Sequence, residues 1–496
     1  MDASVALVFH ARCMSLRPEP DATRANPLAR LADVFTRFAE RFVPEAYVFA
    51  LVATVVVAAV ALARGTSPGD IADAWGDNFW ELLPFTLQMA LIVITGHVLA
   101  TAGPVARFVG ALARVPRSAR GAVAFVGFVA MVASWFNWGF SLVFAALLAR
   151  RIAARLPRVD YRALAAASFM GLGSVWAQGL SGSAALQVAT PSALPPAIRA
   201  VIDHDGLIPG GLLPFRHTIF LWQSLVAVAI EIVVVTTLLF FAAPDETRSR
   251  SAAELGVSLH DSLGDGPGGP GTKVGEPGAP PAGRLETSRV LSWCVVGLGG
   301  FYVVRVLWRA PDLGGALTLN LLNLIFLLLG VLFHQTPARL ARAFQRATPP
   351  VWGILLQYPF YAAIAGMLTR CGLSDVLARA FVSASTTLTL PALVSVYSTV
   401  LGVFVPSGGS KWVIEAPYVL GAAHGAHVHL GWMVAVYDLG EALANLVQPF
   451  WMLPILGIFG LRARDVMGLT TLVFLVLLPL VLVLVTVLGA TLPYPL

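Results

Sequence analysis

Charged residues are scarce in this sequence. Asp, Glu, Lys and Arg together make up 12% of the 496 residues, which is about half of their share in soluble domains. Apolar residues make up 57% of the chain, and the mean hydropathy is +0.78. This balance excludes a cytosolic enzyme, a nucleic-acid-binding protein and an intrinsically disordered chain. The composition instead predicts an all-α polytopic membrane protein.

Lysine and cysteine are rare as well. Lys273 and Lys411 are the only lysines, and the other basic residues are arginines. The three cysteines, Cys13, Cys294 and Cys371, are too widely spaced for a disulfide framework or a metal-binding motif. The sequence has no phosphate-binding glycine loop, nucleotide fingerprint or Ser-His-Asp arrangement. We therefore expect no cofactor, no metal centre, no nucleic-acid partner and no enzymatic activity.

The arginines cluster beside apolar segments, which is typical of cytoplasmic loops in membrane proteins. The apolar run 121–149 has arginines close to both ends, so both flanks are expected to be cytoplasmic. This run is too short to cross the bilayer twice, because each crossing takes about 20 residues. It therefore predicts a re-entrant helical hairpin with its tip near Ser134–Gly139. The alternative is one long tilted span with several arginines in an outer loop.

The distribution of charge and apolar runs also predicts a division of the chain into five segments. They are a cytoplasmic N-terminus with an interfacial amphipathic helix (1–45), a first repeat (46–243), a flexible Gly/Pro-rich cytoplasmic linker (244–289), a connecting span (290–316) and a second repeat (317–496). The N-terminus is expected in the cytoplasm and the C-terminus outside.

Glycine, proline and glutamine recur at a spacing of about 270 residues, which predicts an internal repeat. The pairs are Pro68 with Pro337, Gln88 with Gln357, Gly96 with Gly366, Gly139 with Gly408, and Gly173 with Gly440. The charge-based topology places Pro68 outside and Pro337 inside. We therefore predict two inverted repeats, each with a re-entrant hairpin and a discontinuous transmembrane helix, an arrangement typical of transporters. Chance matching is the alternative.

The second predicted hairpin (390–423) contains the string VPSGGSKW at 405–412. Broken backbone at membrane depth is tolerated only inside protein or beside a wet cavity, and the N-terminus of a half-helix there favours an anion. Lys411 adds a full positive charge, and Glu415, one turn later, is a candidate partner for it. The predicted substrate-binding residues are Ser407, Gly408, Gly409, Ser410 and Lys411. A purely structural ion pair is the alternative.

The first half offers polar residues and glycines at the corresponding places. Asn137 and Gly139 lie at the predicted tip of the first hairpin, and Ser181, Gly182 and Ser183 interrupt the apolar helix that follows. Asparagine both donates and accepts hydrogen bonds, which suits a carboxylate or a cation. Local capping of the backbone is the alternative for Asn137. These five residues complete the predicted substrate site.

Asp438, Glu441 and Asn445 are spaced to share one face of a helix in the run 431–460. Carboxylates within the membrane often relay protons or hold cations, so we predict the coupling-ion site at these three residues. A wet position at the outer interface is the alternative for Asp438. Glu231, in the middle of the run 218–243, is interpreted as a structural or domain-interface residue.

Four strings resemble those of a known family. They are FNWGFSLV (136–143), GLSGSAAL (179–186), VPSGGSKWVIEAPYV (405–419) and GEALANLVQPFWMLP (440–454). These strings are similar to the bacterial short-chain fatty acid transporter family, which includes acetoacetate and butyrate uptake permeases and resembles the wider ion-transporter superfamily. The resemblance implies a homodimer in the bacterial inner membrane. Lys411 stands where a histidine is common in that family, and Glu415 where a glutamine is common.

These observations together predict a secondary transporter that imports short-chain fatty acids or related monocarboxylates, such as butyrate or acetoacetate, by proton symport. Coupling to a proton makes the uptake of an anion electroneutral, whereas the membrane potential opposes uncoupled anion entry by about 2.3 kcal/mol per 100 mV. The substrate class follows from the resemblance alone. The alternatives are a sodium-coupled carboxylate or dicarboxylate symporter and a membrane-embedded lipid-modifying enzyme.

Overall fold

The structure is a computed structural model, and all its described regular elements are helices. It describes residues 27–42, 46–191, 194, 196–203, 206–245, 248–259, 281–310, 318–373, 376, 379, 383, 385–405 and 408–496. No strand occurs within these ranges. The prediction of an all-α protein is confirmed.

We number the described α-helices in chain order. They are α1 (Pro27–Phe42), α2 (Ala46–Ala63), α3 (Pro68–Asn78), α4 (Leu83–Thr101), α5 (Gly103–Leu112), α6 (Ala119–Phe136), α7 (Trp138–Arg155), α8 (Tyr161–Phe169), α9 (Ser183–Ala189), α10 (Pro196–Ile202), α11 (Trp222–Ala242), α12 (Pro281–Glu286), α13 (Arg289–Arg309), α14 (Leu319–His334), α15 (Pro337–Ala347), α16 (Trp352–Arg370), α17 (Leu390–Phe404), α18 (Gly408–Gly425), α19 (Leu430–Asn445), α20 (Leu453–Phe459) and α21 (Ala463–Gly489).

Many of these helices are built to lie in a bilayer. By length and composition, α6, α11, α13 and α21 are each able to cross a membrane. Three bent pairs also qualify as spans: α3 with α4, α15 with α16, and α19 with the segment Phe450–Phe459, which bends by 71°. The chain is therefore a multi-pass membrane protein.

The first predicted hairpin is present, and a single residue forms its tip. Asn137 ends α6 and caps α7, because its side-chain Oδ1 accepts a hydrogen bond from the Phe140 N–H at 2.9 Å. The Ser141 hydroxyl donates to the Ala130 carbonyl at 2.7 Å. These two residues would be about 16 Å apart in a continuous helix, so the chain folds back here. The fold-back excludes one long tilted span, and entry of the hairpin from the cytoplasm stays a prediction.

A second fold-back separates α17 from α18. Lys411, near the start of α18, donates from Nζ to the Ser398 carbonyl of α17 at 3.0 Å. The two residues are 13 positions apart in the chain, which again excludes a continuous helix. Both predicted hairpins are thus helix–break–helix units.

The two halves share a succession of elements, and among the described helices α5 is an addition to the first half. An 11-residue helix beginning at Pro68 or Pro337 precedes a 19-residue helix, α4 or α16. A hairpin follows in each half, and then a broken helix: α8 and α9 in the first half, α19 and α20 in the second. This order supports the predicted repeat, while its inverted orientation stays a prediction.

Two glycines allow the broken helices to pack against the first arms of the hairpins. A Cβ at Gly171 would overlap the carbonyl oxygen of Ala130, and a Cβ at Gly440 would overlap that of Ser395. The two glycines are 269 residues apart, which is the spacing of Pro68 with Pro337. The similar contacts and the spacing of 269 suggest Gly171 as the counterpart of Gly440, where the sequence pairing has Gly173, and the repeat itself stays a prediction.

We expect Gly440→Ala to destabilise the protein by about 1–3 kcal/mol, the usual effect of overpacking a close helix contact. Gly110→Ala is the matched control, because Gly110 is also helical but a Cβ there meets nothing within 4 Å. The measurement is the melting temperature of each purified variant in detergent. Equal melting temperatures for the two variants would contradict the close approach at Gly440.

The N-terminal helix and the start of the predicted linker both contact the helical bundle. A Cβ at Gly468 of α21 would overlap the backbone of Thr36, and Glu40 on α1 accepts a hydrogen bond from Arg162 at 2.9 Å. The Arg250 N–H donates to Asp160 at 3.0 Å, so the chain after α11 is anchored to the start of α8. Residues 260–280, with most of the Gly/Pro-rich stretch, lie outside the described residues. The segment boundaries, the interfacial position of α1 and the flexibility of the linker stay predictions.

Candidate functional site

The second hairpin holds a buried ion pair with the second broken helix. The Lys411 ammonium forms a salt bridge with the Glu441 carboxylate of α19, and both side chains are fully buried, at 1% and 0% exposure. The same ammonium donates to the Ser398 carbonyl at 3.0 Å and to the Ser398 hydroxyl at 3.2 Å. Three acceptors thus satisfy the three N–H donors of the ammonium. An unpaired charge here would be costly, so these contacts explain how the lysine is tolerated.

Tyr437 completes the surroundings of Lys411, and Glu415 does not pair with it. The face of the Tyr437 ring lies 5.0 Å from the ammonium, which is a cation–π contact. The Tyr437 hydroxyl donates to Glu415 at 2.7 Å. The candidate pairing of Lys411 with Glu415 is therefore wrong: Lys411 reaches the facing helices α17 and α19 instead.

The tip of the second hairpin meets the first half of the chain. A Cβ at Gly408 would lie 3.4 Å from the Ser183 hydroxyl and 3.2 Å from the Trp176 ring. The Gly409 carbonyl accepts a hydrogen bond from Gln187 of α9 at 3.1 Å. Glycines at the tip thus let the two halves approach closely, and Ser183 lies beside Gly408 and Gly409. A role of these residues in binding stays a prediction.

Asp438 caps a helix of the other half. Its Oδ2 accepts a hydrogen bond from the Ala184 N–H, in the first turn of α9, at 2.9 Å. Its Oδ1 is buried and has no hydrogen-bond partner among the described residues. The side chain is fully buried, so the alternative of a wet interfacial position is not what this structure shows. The coupling-ion role of Asp438 stays a prediction.

The cap predicts different outcomes for two substitutions at this position. Asp438→Ala removes the acceptor for the Ala184 N–H, and we expect it to reduce stability by about 0.5–2 kcal/mol, as loss of a cap does. Asp438→Asn keeps an acceptor oxygen and is expected to melt close to the native protein. The test is thermal unfolding of both variants in detergent. A loss of stability as large in Asp438→Asn as in Asp438→Ala would argue against a capping role.

Asn445 connects the two helix breaks. Its amide donates to the Leu172 carbonyl in the first break at 3.0 Å, and its Oδ1 accepts from Gln448 at 3.2 Å. Gln448 in turn accepts from the Phe450 N–H at 2.7 Å. These bonds satisfy backbone groups that the interrupted helices leave free. Asn445 shares its helix with Glu441, but its polar atoms are engaged at the breaks.

The first hairpin contacts the first break next to the predicted serines. The Trp138 N–H donates to the Ser181 hydroxyl at 3.1 Å, and the Leu180 N–H donates to the Trp135 carbonyl at 2.8 Å. Asn137 caps the backbone of α7, which is the alternative to a binding role considered for it above. Gly139 is buried in the first turn of that helix. Gly182 is the N-cap residue of α9. The binding roles of these residues stay predictions.

Ser407 lies outside the described residues. Ser410 lies in the first turn of α18, and its side chain is outside the described part of the structure. Within the described ranges, no three His, Cys, Asp or Glu side chains are grouped so that they would hold a metal ion.

The structure adds contacts that the sequence analysis does not anticipate. They come from Ser398, Tyr437, Trp176 and Gln187. Tyr437 precedes Glu441 by four residues, so the helical spacing that selects Glu441 also points to it. Ser398, on the first arm of the hairpin, has no sequence signal of this kind, because its contact depends on how the two arms fold back.

A known protein family matches most of the chain. Residues 27–488 match a family model described as "Short chain fatty acid transporter". A relative from Escherichia coli (strain K12) is 34% identical over 450 residues, covering 90% of this chain and 97% of its own length. One from Haemophilus influenzae (strain ATCC 51907 / DSM 11121 / KW20 / Rd) is 32% identical over 451 residues, with the same coverages. Both carry the name "Putative short-chain fatty acid transporter".

Two solved structures are similar over nearly their full length. MtrF of Neisseria gonorrhoeae, described as illuminating a class of antimetabolite efflux pumps, has a TM-score of 0.40 and 14% identity, covering 93% of this chain and 99% of that one. The YdaH transporter of Alcanivorax borkumensis has a TM-score of 0.40 and 16% identity, covering 90% and 98%.

Proposed function

Because this chain belongs to the short-chain fatty acid transporter family, we propose that it imports short-chain fatty acids or related monocarboxylates, such as butyrate and acetoacetate, by proton symport. The family is one of transporters, so we assign transport and not catalysis. The observation that carries the proposal is the buried Lys411–Glu441 pair where the second hairpin meets the second broken helix.

Lys411 is the cation that binds the carboxylate of the substrate. It is buried, and it lies one turn into α18, near the predicted anion-binding end of that helix. Gly408 and Gly409 place no side chain at this end of the helix, and the Ser183 hydroxyl lies close to Gly408. Ser407 and Ser410 of the same string, and Asn137, Gly139, Ser181 and Gly182 of the first half, complete the proposed substrate site. The Trp176 ring beside Gly408 provides an apolar surface for a short alkyl tail.

Glu441 couples the substrate to a proton by competing for Lys411. Two carboxylates and one ammonium would leave a net negative charge in a buried site, which is strongly unfavourable. A substrate carboxylate therefore replaces Glu441 at Lys411 only when Glu441 takes up a proton. One proton then enters with each anion, and the step is electroneutral. Asp438 and Asn445 belong to the proposed coupling region. In the structure they hydrogen-bond to the backbone of Ala184 and Leu172.

The proposed setting is the bacterial inner membrane. The arginine distribution supports a cytoplasmic N-terminus and an external C-terminus. We also propose a homodimer. Support for it comes from α13, whose large apolar residues are widely exposed, with Leu298 at 77% and Trp308 at 88%. The part of α13 that a second subunit leaves uncovered is expected to contact lipid.

Uptake into proteoliposomes tests the coupling ion. In sodium-free buffer, an inside-alkaline pH gradient is expected to raise the initial rate of labelled butyrate uptake above that of protein-free liposomes, and a protonophore is expected to abolish this increase. Protein-free liposomes under the same gradient measure the passive entry of butyric acid. Accumulation that follows a sodium gradient and ignores the pH gradient would replace proton symport with the sodium-coupled alternative.

Competition tests the substrate class. Unlabelled acids from acetate to hexanoate, with acetoacetate, are expected to reduce butyrate uptake. Succinate is not, because a second carboxylate needs a second cation and the described residues around Lys411 provide none. Strong competition by succinate would favour a dicarboxylate carrier.

A further inference from the structure

Glu231 is a second buried carboxylate, separate from the Lys411 site. It lies in the middle of α11 and is 1% exposed. It is the only charged residue of that helix. A carboxylate at such a position must be neutralised by a proton or by a cation.

Gln178 is the hydrogen-bond partner of Glu231. The Gln178 amide donates to Glu231 Oε1 at 2.8 Å, and both side chains are buried. The two remaining oxygens, Glu231 Oε2 and Gln178 Oε1, are also buried and have no hydrogen-bond partner among the described residues. Two acceptors without a donor are unfavourable in a dry interior. A proton on Glu231 Oε2 provides a donor at this place, since a carboxylic acid has one O–H donor and its carbonyl oxygen still accepts from the Gln178 amide.

The elements packed against α11 bring no counter-charge to Glu231. These elements are α1, α6, α21 and the turn Val175–Gln178. The turn has no charged residue, α6 has only Arg120, α21 has only Arg464 and Asp465, and α1 has five charged residues along Arg30–Arg41.

Where the charges of these neighbours make described contacts, those contacts lie near the C-terminal end of α11. Arg120 pairs with Asp245, and Asp465 lines a small cavity together with Thr36 and Ala242. Ala242 is the last residue of α11, about 16 Å along the helix axis from Glu231. The described residues therefore provide no neighbouring cation that would neutralise Glu231.

We propose that Glu231 is a proton-binding site whose occupancy holds the turn Val175–Gln178 against α11. Protonated Glu231 and Gln178 pair as two neutral groups. Loss of the proton leaves a buried carboxylate that is stable only if the turn moves away and water enters. The turn also carries Trp176, which lies beside Gly408, and it precedes Ser183. Protonation of Glu231 thus acts on the proposed substrate site through Trp176 and the chain that leads to Ser183, and this link to transport rests on the proposed function.

Infrared difference spectroscopy on the purified full-length protein tests the protonation state directly. Native protein at neutral pH is expected to show a stretching band of a protonated carboxyl that Glu231→Gln lacks, while Glu81→Gln, which changes an exposed carboxylate, keeps it. Gln178→Met is expected to shift the same band, because the carbonyl of the acid loses its amide donor. Identical spectra for the native protein and Glu231→Gln in this region would show that Glu231 is ionised and would overturn the proposal. A band that disappears when sodium replaces potassium at constant ionic strength would identify a cation site instead.

The rate of butyrate exchange in proteoliposomes tests the link to transport. Glu231→Gln cannot lose a proton and therefore holds the turn Val175–Gln178 against α11, so it is expected to slow exchange by at least about tenfold, while Glu81→Gln leaves the rate unchanged. A native exchange rate in Glu231→Gln would overturn the control of the turn by the proton. Absence of proton-driven uptake by the native protein would contradict the proposed function and leave the infrared result standing.

Discussion

Replacing Lys411 with methionine is expected to reduce butyrate uptake by about a hundredfold. The ammonium is the proposed binding group for the substrate carboxylate, and the loss of one partner of a buried charge pair costs about 2–5 kcal/mol. Every 1.4 kcal/mol is a factor of ten in affinity, so a loss of about 2.8 kcal/mol, within this range, has the stated effect. Methionine retains much of the volume of the lysine stem, so the packing between α17 and α19 is largely preserved. The measurement is initial uptake in proteoliposomes at a butyrate concentration below the native half-saturation value.

The chain offers a matched control for this change. Lys273, its other lysine, lies in the Gly/Pro-rich segment, and Lys273→Met is expected to transport normally. Lys411→Met alone leaves Glu441 buried without its partner, which destabilises the fold. The double variant Lys411→Met/Glu441→Gln removes both charges and is expected to regain stability but not uptake. Near-native uptake by a folded Lys411→Met protein would remove Lys411 from the binding site.

Replacing Glu441 with glutamine is expected to abolish the pH dependence of substrate binding. In the native protein one proton binds with each substrate, so the apparent affinity for butyrate should fall by about tenfold for each unit of pH above neutrality, where the carboxylic acid of the substrate remains ionised. Glutamine is neutral at every pH and no longer competes with the substrate for Lys411. Affinity in this variant is therefore expected to stay constant between about pH 6 and about pH 8. Binding is measured by isothermal titration on purified protein.

Transport assays separate this effect from a loss of folding. Glu441→Gln is expected to exchange labelled for unlabelled butyrate across the membrane, because exchange needs only the binding site. It is expected not to accumulate butyrate in response to a pH gradient, because the coupling proton has no carrier. Asp438→Asn provides the comparison, as it removes the neighbouring carboxylate and keeps the cap on α9. A native pH gradient response in Glu441→Gln would assign the coupling proton to another group.

The sequence predicts the order and type of the main elements well. Arginines at both ends of 121–149 indicate that the chain returns to its starting side, and Asn137 is a residue that both ends and begins helices. The VPSGGSKW string predicts the second break, since proline and paired glycines do not continue a helix. These signals are local, so a single sequence is enough to see them.

The contacts between distant segments are harder to predict. Helical spacing suggests Glu415 as a partner of Lys411, but it compares only residues on one helix, and the partner in the structure lies on α19. The roles of Asp438 and Gln178 depend in the same way on facing segments, Ala184 and Glu231. A repeat at 269 residues predicts which elements correspond, but it does not say which atoms of the two halves touch.

The bonds between the halves have a consequence for biosynthesis. The first turn of α9 is capped by Asp438, and the break at Leu172 is held by Asn445. Both partners emerge from the ribosome more than 250 residues after the groups they satisfy. During translation the first half must therefore reside in the membrane with exposed amide and carbonyl groups in its interrupted helix. A chain truncated before α19 would leave these groups without Asp438 and Asn445 as partners.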